Sequence, residues 1–343
     1  MTISLAMIKF KQGGGIERYA LDLIAGFHQA GIKPVVYAIS FDEKLKQYPW
    51  IKPQKVALSW CPKFLRKQCF ARTIKNAPET TLSITQIVGT DLLICGGQHK
   101  GYINALNKIP TLLDRLKIRN EQKAYQSAKT IVAHSQLMKN ELMAFYDVPS
   151  EKIQVIYPPI DDQKFSPVTN EVRSKLRQNF HFAEHDIIYL FPSTGHKRKG
   201  FDLLRAYFDT QLKGSHCKLV VAGTPVEESE NVVSLGFRDN MPDLYRAADF
   251  TIMASQYEPF GLVGIESILC GTPIIFSQNM ACTEVLKGQF GYLFDRENTD
   301  SLHQAMQLSL SNPQRIDDPL SVLQYNPSLN HHIEKILSLV TSQ

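Results

Sequence analysis

Residues 258–273 read EPFGLVGIESILCGTP, and two glutamates flank the start of a short apolar segment within them. A proline and a glycine near its start and Gly271 at its end predict a short buried helix. The first backbone amides of such a helix have no partners within it, and together with the helix dipole they favour a phosphate. Glu258 would lie just before the helix and Glu266 farther along it.

The spacing of these two carboxylates fits a nucleotide sugar. One carboxylate can hold sugar hydroxyls and the other ribose hydroxyls, while a diphosphate contacts the amides of Gly261, Leu262 and Val263 between them. The alternative is a buried helix in which Glu258 only complements the helix dipole and Glu266 is a paired surface charge.

Length and composition indicate a globular chain of two domains. The 343 residues exceed one usual core, and the sequence is 43% hydrophobic and 21% charged. No apolar run approaches the roughly 20 residues that cross a bilayer, and the first residues do not resemble a signal peptide, so we expect the protein in the cytoplasm. Its six cysteines are scattered without a Cys-x-x-Cys pair, which predicts reduced thiols instead of disulfides or zinc.

Short apolar strands alternate with helices along both halves of the chain. This alternation predicts an α/β fold with two Rossmann-like domains, whose parallel sheets face each other across a cleft. Adjacent prolines at 158 and 159 follow a strand and interrupt regular structure, so the boundary is predicted near residue 163. Residues 1–163 then form the N-terminal domain and residues 164–343 the C-terminal domain, from which the last helix can return to the first.

Positive charge is concentrated in the first half. Residues 1–160 carry 22 Lys and Arg against 11 Asp and Glu, whereas the remainder carries 16 against 22. Within residues 59–75, Phe64, Phe70 and Ile74 alternate with cations. This pattern predicts either a surface helix on anionic lipid or an amphipathic helix that packs on the sheet. No known nucleic-acid-binding signature is present, so nucleic acid is not an expected partner.

Two further segments follow predicted strands and suit a phosphate. Gly14 and Gly15 come after the first strand, where they would let the backbone approach a phosphate or sugar. Lys197, Arg198 and Lys199 come after the first strand of the second half and would neutralise a leaving diphosphate. A solvated basic loop is the alternative for these three cations.

These segments resemble motifs of retaining glycosyltransferases of family 4, which have the GT-B fold. Residues 258–266 match the Glu-x7-Glu motif of that family. Residues 14–18 are similar to its Gly-Gly-x-Glu-Arg turn. Residues 235–249 resemble its base-binding turn and the following helix, in which Leu244 and Tyr245 form a wall or belong to the helix core.

The basic turn matches the family only in part. Lys199 and the glycine after it match the end of Gly-Arg-x4-Lys-Gly, but Ser193 and Thr194 stand where the family has Gly-Arg. Arg198 could supply the missing charge, because a compact Arg-Lys-Gly turn is similar to that of lipopolysaccharide-core glucosyltransferases.

Two histidines follow strands of the first half. On the family resemblance, His99 could order the donor sugar or approach the acceptor hydroxyl, and His134 occupies the family's serine turn. A structural role is the alternative for both.

The resemblance implies that the N-terminal domain, residues 1–163, binds the acceptor and that the C-terminal domain, residues 164–343, binds the nucleotide sugar. It also implies sugar transfer with retention of configuration, in which the departing phosphate oxygen takes the acceptor proton. The residues implied to be catalytic are Glu258, Lys199, Arg198 and His99. The residues implied to bind the donor are Gly14, Gly15, Thr194, Phe237, Arg238, Leu244, Phe260, Gly261, Leu262, Val263 and Glu266.

The same resemblance leads to expectations about substrates. The expected donor is a UDP-sugar carrying a hexose or N-acetylhexosamine. The expected acceptor is a lipid-linked glycan such as lipopolysaccharide core at the inner face of the cytoplasmic membrane, with residues 59–75 contacting anionic lipid. No Asp-x-Asp site occurs at a fitting place, which predicts catalysis without metal or other cofactor. The alternatives are a transferase with a soluble acceptor, a non-catalytic nucleotide-sugar-binding scaffold and a sugar-nucleotide epimerase of the GT-B fold.

Overall fold

The computed structural model describes residues 2–11, 14–42, 49–62, 65–313 and 315–341. The chain divides into two compact units: unit 1 comprises Met1–Pro159 and Pro327–Gln343, and unit 2 comprises Ile160–Asn326. The division falls directly after the paired prolines, slightly before the boundary that the sequence predicts at residue 163. The C-terminal segment belongs to unit 1.

Unit 1 is a parallel sheet with helices. Its strands are β1 (Ile3–Phe10), β2 (Val35–Phe41), β3 (Lys52–Lys55), β4 (Thr80–Ser83), β5 (Leu92–Cys95), β6 (Thr130–Ala133) and β7 (Ile153–Val155). They are arranged in the order β3-β2-β1-β4-β5-β6-β7. The helices before the unit boundary are α1 (Gly14–Gln29), α2 (Arg66–Lys75), α3 (His99–Ala105), α4 (Leu112–Ser127) and α5 (Gln136–Tyr146). Strand β5 is buried throughout because a parallel sheet is covered on both faces.

Unit 2 repeats this architecture. Its strands are β8 (Ile187–Ser193), β9 (Cys217–Gly223), β10 (Val232–Gly236), β11 (Phe250–Met253), β12 (Ile274–Ser277) and β13 (Gly291–Phe294). They form a parallel sheet in the order β10-β9-β8-β11-β12-β13. The helices are α6 (Asn170–Asn179), α7 (His196–Lys199), α8 (Phe201–Thr210), α9 (Met241–Ala247), α10 (Leu262–Leu269) and α11 (Thr299–Ser311). The strand order reverses between β8 and β11, and ligands bind doubly wound sheets at the carboxyl ends of strands beside such a reversal. The two sheets confirm the predicted α/β class.

The C-terminal helix α12 (Leu329–Thr341) packs on unit 1. Its residues Ile333, Ile336 and Val340 are buried in the same apolar cluster as residues of β1 and α1. Gly26 of α1 makes a close crossing possible, since a Cβ there would lie 2.3 Å from Cγ1 of Ile333. No helix among the described residues is both long and apolar enough to cross a membrane.

Helix α2 packs its apolar side chains inward. Phe70 and Ile74 are fully buried in a cluster with Ala6 and Val56. For these two side chains, packing on the sheet is therefore the interpretation that the structure supports, and contact with lipid through them is excluded. Within residues 59–75, Trp60 remains exposed, and Lys63 and Phe64 lie outside the described residues.

Two buried histidines lie side by side in unit 1. Nδ1 of His332 donates to the carbonyl of Tyr157 at 2.9 Å, so its Nε2 accepts from the hydroxyl of Tyr19 at 2.7 Å. The ring of His134 contacts the ring of Tyr19, with centroids 4.9 Å apart. Burial lowers the pKa of His134 to about 3 and that of His332 to about 4. Both rings are therefore neutral at neutral pH.

We expect these histidines to make the protein less stable as the pH falls below about 6.5, the ordinary histidine pKa. Their folded pKa values lie below the unfolded ones, so the unfolded chain binds protons that the folded chain does not. Stability is complete above about pH 6.5 and is lost towards pH 4, by about 1.4 kcal/mol per pH unit for each histidine. The thermal unfolding midpoint should decrease as the pH is lowered from about 7.5 to 5. This decrease should be less steep in His134→Gln than in His185→Gln, a control at an exposed site. An equal dependence of the midpoint on pH in the two variants would show that burial of His134 does not lower its pKa.

Candidate active site

A pocket of about 220 Å³ lies in unit 2 at the carboxyl ends of β8 and β9. It adjoins β8, one of the two strands between which the strand order reverses, and ligands bind doubly wound sheets near such a reversal. It is lined by Pro192, Ser193, Thr194, Lys199, Ala222, Gly223, Phe237, Arg238, Met241, Tyr245, Val263 and Glu266. Thr194, Lys199, Phe237, Arg238, Val263 and Glu266 are thus brought together as the sequence predicts.

The ends of β8 and β9 approach closely at Gly223. This residue has a φ of +135°, and a Cβ there would lie 2.0 Å from the carbonyl oxygen of Ser193. Only glycine fits such an approach. Beside it, His196 bonds at 2.9 Å to the hydroxyl of Ser193 and at 2.9 Å to the carbonyl of Thr224. His196 therefore fixes the loops that follow both strands, a role that no sequence motif indicated.

Helix α10 begins beside Glu258, as the sequence predicts. Gly261 precedes it with a φ of +97°, and a Cβ there would lie 3.0 Å from Cγ of Glu258. The amide of Gly264 donates to the carbonyl of Gly261 at 3.0 Å. The amides of Leu262 and Val263 precede this first intrahelical bond and are positioned to receive an anion.

Arg198 is paired with Glu258. Nη1 of Arg198 lies 2.7 Å from Oε2 of Glu258 and also donates to the carbonyl of Tyr257 at 2.7 Å. The arginine that the sequence suggested as a replacement cation is therefore held against the first carboxylate of the motif. Because both side chains are only partly exposed, the pair is positioned before any ligand arrives.

Lys199 is the partly buried cation of the pocket. Its Nζ donates to the carbonyl of Pro192 at 2.9 Å. Burial lowers the pKa of Lys199, while the negative charges of Glu258 and Glu266 oppose that shift. A desolvated ammonium beside a helix start interacts more strongly with an anion than it would in water.

Glu266 is held by Tyr245, whose hydroxyl donates to Oε2 of Glu266 at 2.9 Å. Both residues line the pocket. Glu266 is therefore oriented by a buried side chain.

We expect Tyr245→Phe to weaken donor binding about tenfold, equivalent to about 1.4 kcal/mol, because Glu266 would no longer be held in one orientation for the donor. The dissociation constant of the nucleotide should rise, and the stability lost with the hydrogen bond should be matched by the control. Tyr189→Phe is the matched control, since Tyr189 bonds to Ser309 at 2.9 Å in the core of the same unit. Equal nucleotide affinity in the two variants would contradict a role of Tyr245 in the pocket.

Other predicted donor residues are placed differently. Leu244 is buried and does not line the pocket, so its position is that of an ordinary helix core residue. Phe260 is also buried and Leu262 is partly exposed, and neither lines the pocket, whereas Phe237 lines it and is largely exposed.

The remaining predicted residues belong to unit 1. Gly14 and Gly15 begin α1 after β1, and His99 begins α3 after β5. Nε2 of His99 lies 2.6 Å from Oδ1 of Asp114, and the backbone amide of His99 donates to Glu121 at 3.1 Å. His99 therefore links α3 to the start of α4, which a structural role explains.

A group of possible metal ligands lies away from the pocket. Among the described residues, only His185, Asp186 and His216 bring three such side chains together, with ligand atoms within 4.8 Å of one another. They precede β8 and β9, at the amino ends of these strands and opposite the pocket.

Comparisons with known proteins identify the family of the chain. Residues 172–321 match the model described as "Glycosyl transferases group 1", and residues 90–164 match "Glycosyltransferase Family 4". A protein of Burkholderia thailandensis named "Probable transglycosylase" is 37% identical over 352 residues, which cover 99% of this chain and 96% of the relative.

Solved structures share the fold over the whole chain. WaaG, described as a glycosyltransferase involved in lipopolysaccharide biosynthesis, has a TM-score of 0.73 at 17% identity and covers 99% of this chain and 98% of its own. Anabaena Alr3699/HepE in complex with UDP and glucose has a TM-score of 0.72 at 17% identity, with full coverage of both chains. These likenesses confirm the predicted GT-B fold. The chain therefore belongs to the group 1 and family 4 glycosyltransferases.

Proposed function

We propose that this glycosyltransferase moves a hexose or N-acetylhexosamine from a UDP-sugar to a lipid-linked glycan, with retention of configuration. The observation that carries the proposal is the pocket at the carboxyl ends of β8 and β9. Lys199 and the pair of Tyr245 with Glu266 line this pocket, and the pair of Arg198 with Glu258 lies at the start of α10, whose Val263 also lines it. A sugar nucleotide has a diphosphate for the cations and the first amides of α10, and sugar and ribose hydroxyls for the two carboxylates.

The pocket supplies positive charge where a leaving diphosphate would develop negative charge. Lys199 and Arg198, with the first amides of α10, would stabilise that charge as the bond to the sugar breaks. Glu258 would hold the donor sugar and Glu266 the ribose. The departing phosphate oxygen would take the acceptor proton, so few protein bases are needed. His99 stays a prediction as a sugar contact.

Two neighbours support the choice of substrates. Alr3699/HepE was solved with UDP and glucose, which supports a UDP-hexose as donor. WaaG is described as an enzyme of lipopolysaccharide biosynthesis, which supports a lipopolysaccharide-type acceptor. A lipid-linked acceptor would place the protein peripherally at the inner face of the cytoplasmic membrane.

We propose that the reaction needs no metal ion. Lys199 and Arg198 already supply two cations for the diphosphate, which is the role that a metal ion plays in other transferases. Turnover should therefore persist after treatment with EDTA. Activity that is lost with EDTA and restored by Mg²⁺ or Mn²⁺ would overturn this point.

A panel of UDP- and GDP-sugars tests the proposed function. Binding of a donor to the folded state must raise its thermal midpoint, and transfer to a lipid-linked glycan must release the nucleoside diphosphate. We expect one UDP-sugar to give both results, with the product retaining the anomeric configuration of the donor by NMR.

Different outcomes would identify the alternatives. Transfer to soluble acceptors only would point to a soluble-acceptor enzyme, and binding without turnover to a scaffold. The relative's name, transglycosylase, suggests a glycan as donor. In that case sugar would be transferred without release of any nucleoside diphosphate.

A further inference from the structure

Unit 1 exposes a compact set of large apolar side chains where α4 begins. Ile109 is 90% exposed, Leu112 78%, Leu113 77% and Leu116 57%. Isolated exposed leucines are common on protein surfaces, but four large apolar side chains within eight residues form a patch, and such patches mark interaction sites. These four residues constitute the apolar patch of unit 1.

The apolar patch is on one side of α4. Successive residues of an α-helix are rotated by about 100°, so Leu112, Leu113 and Leu116 fall within an arc of about 100°. Of the buried residues of the same helix, Glu121 and Tyr125 lie on the opposite side, and Ala124 lies at the edge next to Leu113. Helix α4 is therefore anchored by one face and presents its leucines on the other.

The start of α4 is held firmly. The hydroxyl of Thr111 accepts from the amide of Asp114 at 3.2 Å, and the carboxylate of Asp114 accepts from the amide of Thr111 at 2.9 Å. Asp114 is also bonded to His99 of α3. These bonds form a capping box that is tied to α3. The apolar patch is thus displayed by ordered backbone.

The charge around the apolar patch is positive. The cations of this segment are Lys108, Arg115, Lys117, Arg119 and Lys123. The two carboxylates on α4 are directed inward, where Asp114 bonds to His99 and Glu121 accepts hydrogen bonds from Tyr146 and from the amide of His99. By helical geometry, Arg119 and Lys123 continue the row that Leu112 and Leu116 begin. An anionic partner with an apolar interior complements this surface.

We propose that the apolar patch inserts into the interface of an anionic lipid bilayer while the surrounding cations of α4 contact the headgroups. Amphipathic helices with basic residues bind anionic membranes in this way, with the apolar side chains at the boundary between headgroups and acyl chains. The purpose of such binding rests on the proposed function, since a lipid-linked acceptor is presented at a membrane. The contact differs in location from residues 59–75, where Phe70 and Ile74 are buried.

Binding of the full chain to vesicles tests the proposal. The protein is mixed with vesicles of phosphatidylcholine alone or with about one third phosphatidylglycerol, and the bound fraction is measured by flotation. We expect binding to the anionic vesicles only, weakening as salt is raised because exposed charges are screened. A wild-type protein that ignores the anionic vesicles would overturn the proposal.

Matched variants assign the contact to α4. The triple change Leu112→Ser, Leu113→Ser and Leu116→Ser should lower the vesicle partition coefficient more than tenfold. The control changes exposed apolar residues of unit 2, Leu308→Ser and Leu320→Ser, and should bind like the wild type. Equal binding by the triple variant and the control would exclude the apolar patch as the membrane contact.

Two more measurements distinguish α4 from a different membrane contact and from a self-association surface. Lys67→Glu with Arg72→Glu tests α2, and a larger loss of binding there than in the leucine variant would move the contact to residues 59–75. If the leucine change instead converts a dimer to a monomer without altering vesicle binding, the apolar patch is a self-association surface and the proposal is wrong. The assay contains neither donor nor acceptor, so its failure would leave the proposed transfer reaction untouched. An unchanged thermal shift with the donor would show that the triple variant is folded.

Discussion

Glu258→Gln should lower kcat by about 10²–10³-fold, a loss of about 2.7–4 kcal/mol of transition-state stabilisation. The change keeps the shape of the side chain and removes its charge. Arg198 would lose the carboxylate that lies 2.7 Å from its Nη1 and would keep its bond to the carbonyl of Tyr257, so the cation would be held less firmly for the diphosphate. Steady-state release of nucleoside diphosphate, with kcat and KM determined separately, measures the effect.

Two comparisons test this role of Glu258. Glu227→Gln, which alters a largely exposed carboxylate of the same unit, should have normal activity. If Glu258 acts partly by positioning Arg198, the effects of Glu258→Gln and Arg198→Ala should be less than additive in a double-mutant cycle. A kcat within about threefold of the wild type in Glu258→Gln would remove Glu258 from the chemistry.

The short-range features of the fold are predictable from sequence because local residues determine them. Helix α10 was expected between Gly261 and Cys270 and is found at Leu262–Leu269. The proline and glycine before the helix and the glycine after it are sufficient to predict where the helix begins and ends. Helix α12 is different: the spacing of Ile333, Ile336 and Val340 indicates an apolar face, but periodicity alone does not show which sheet that face covers.

The sequence predicted which residues line the pocket where a family motif includes them. It did not do so where the rotation of a side chain about its helix axis determines whether that side chain faces the pocket. Lys199 and Glu266 follow from motif spacing and line the pocket. Leu244 and Tyr245 are neighbours, yet only Tyr245 lines it, because one step along a helix turns a side chain by about 100°. The exposure of Leu112 could not be predicted either, because it depends on tertiary packing and leucine residues are usually buried.

The largest loss is expected for Lys199→Met, which should lower kcat/KM for the donor about 10³-fold or more. Methionine is similar in length and carries no charge, so the change removes the ammonium with little loss of packing. The diphosphate would lose a partly buried cation of the pocket, and Glu258 and Glu266, whose charges act on Lys199, would repel the donor more strongly. Lys199→Arg should not restore full activity, because a planar guanidinium is larger than the compact ammonium that it would replace and presents its donors in a different geometry.

The pH dependence of the wild type provides a second test of Lys199. Burial lowers the pKa of Lys199, so the charged form needed for the diphosphate is lost at a lower pH than for an ordinary lysine. The kcat/KM of the wild type should therefore decline on the alkaline side, and that decline should be absent from the residual activity of Lys199→Met. The control Lys213→Met, at an exposed position of the same unit, should keep both the rate and the pH profile. A Lys199→Met enzyme with the wild-type rate would show that the leaving diphosphate draws its positive charge from elsewhere.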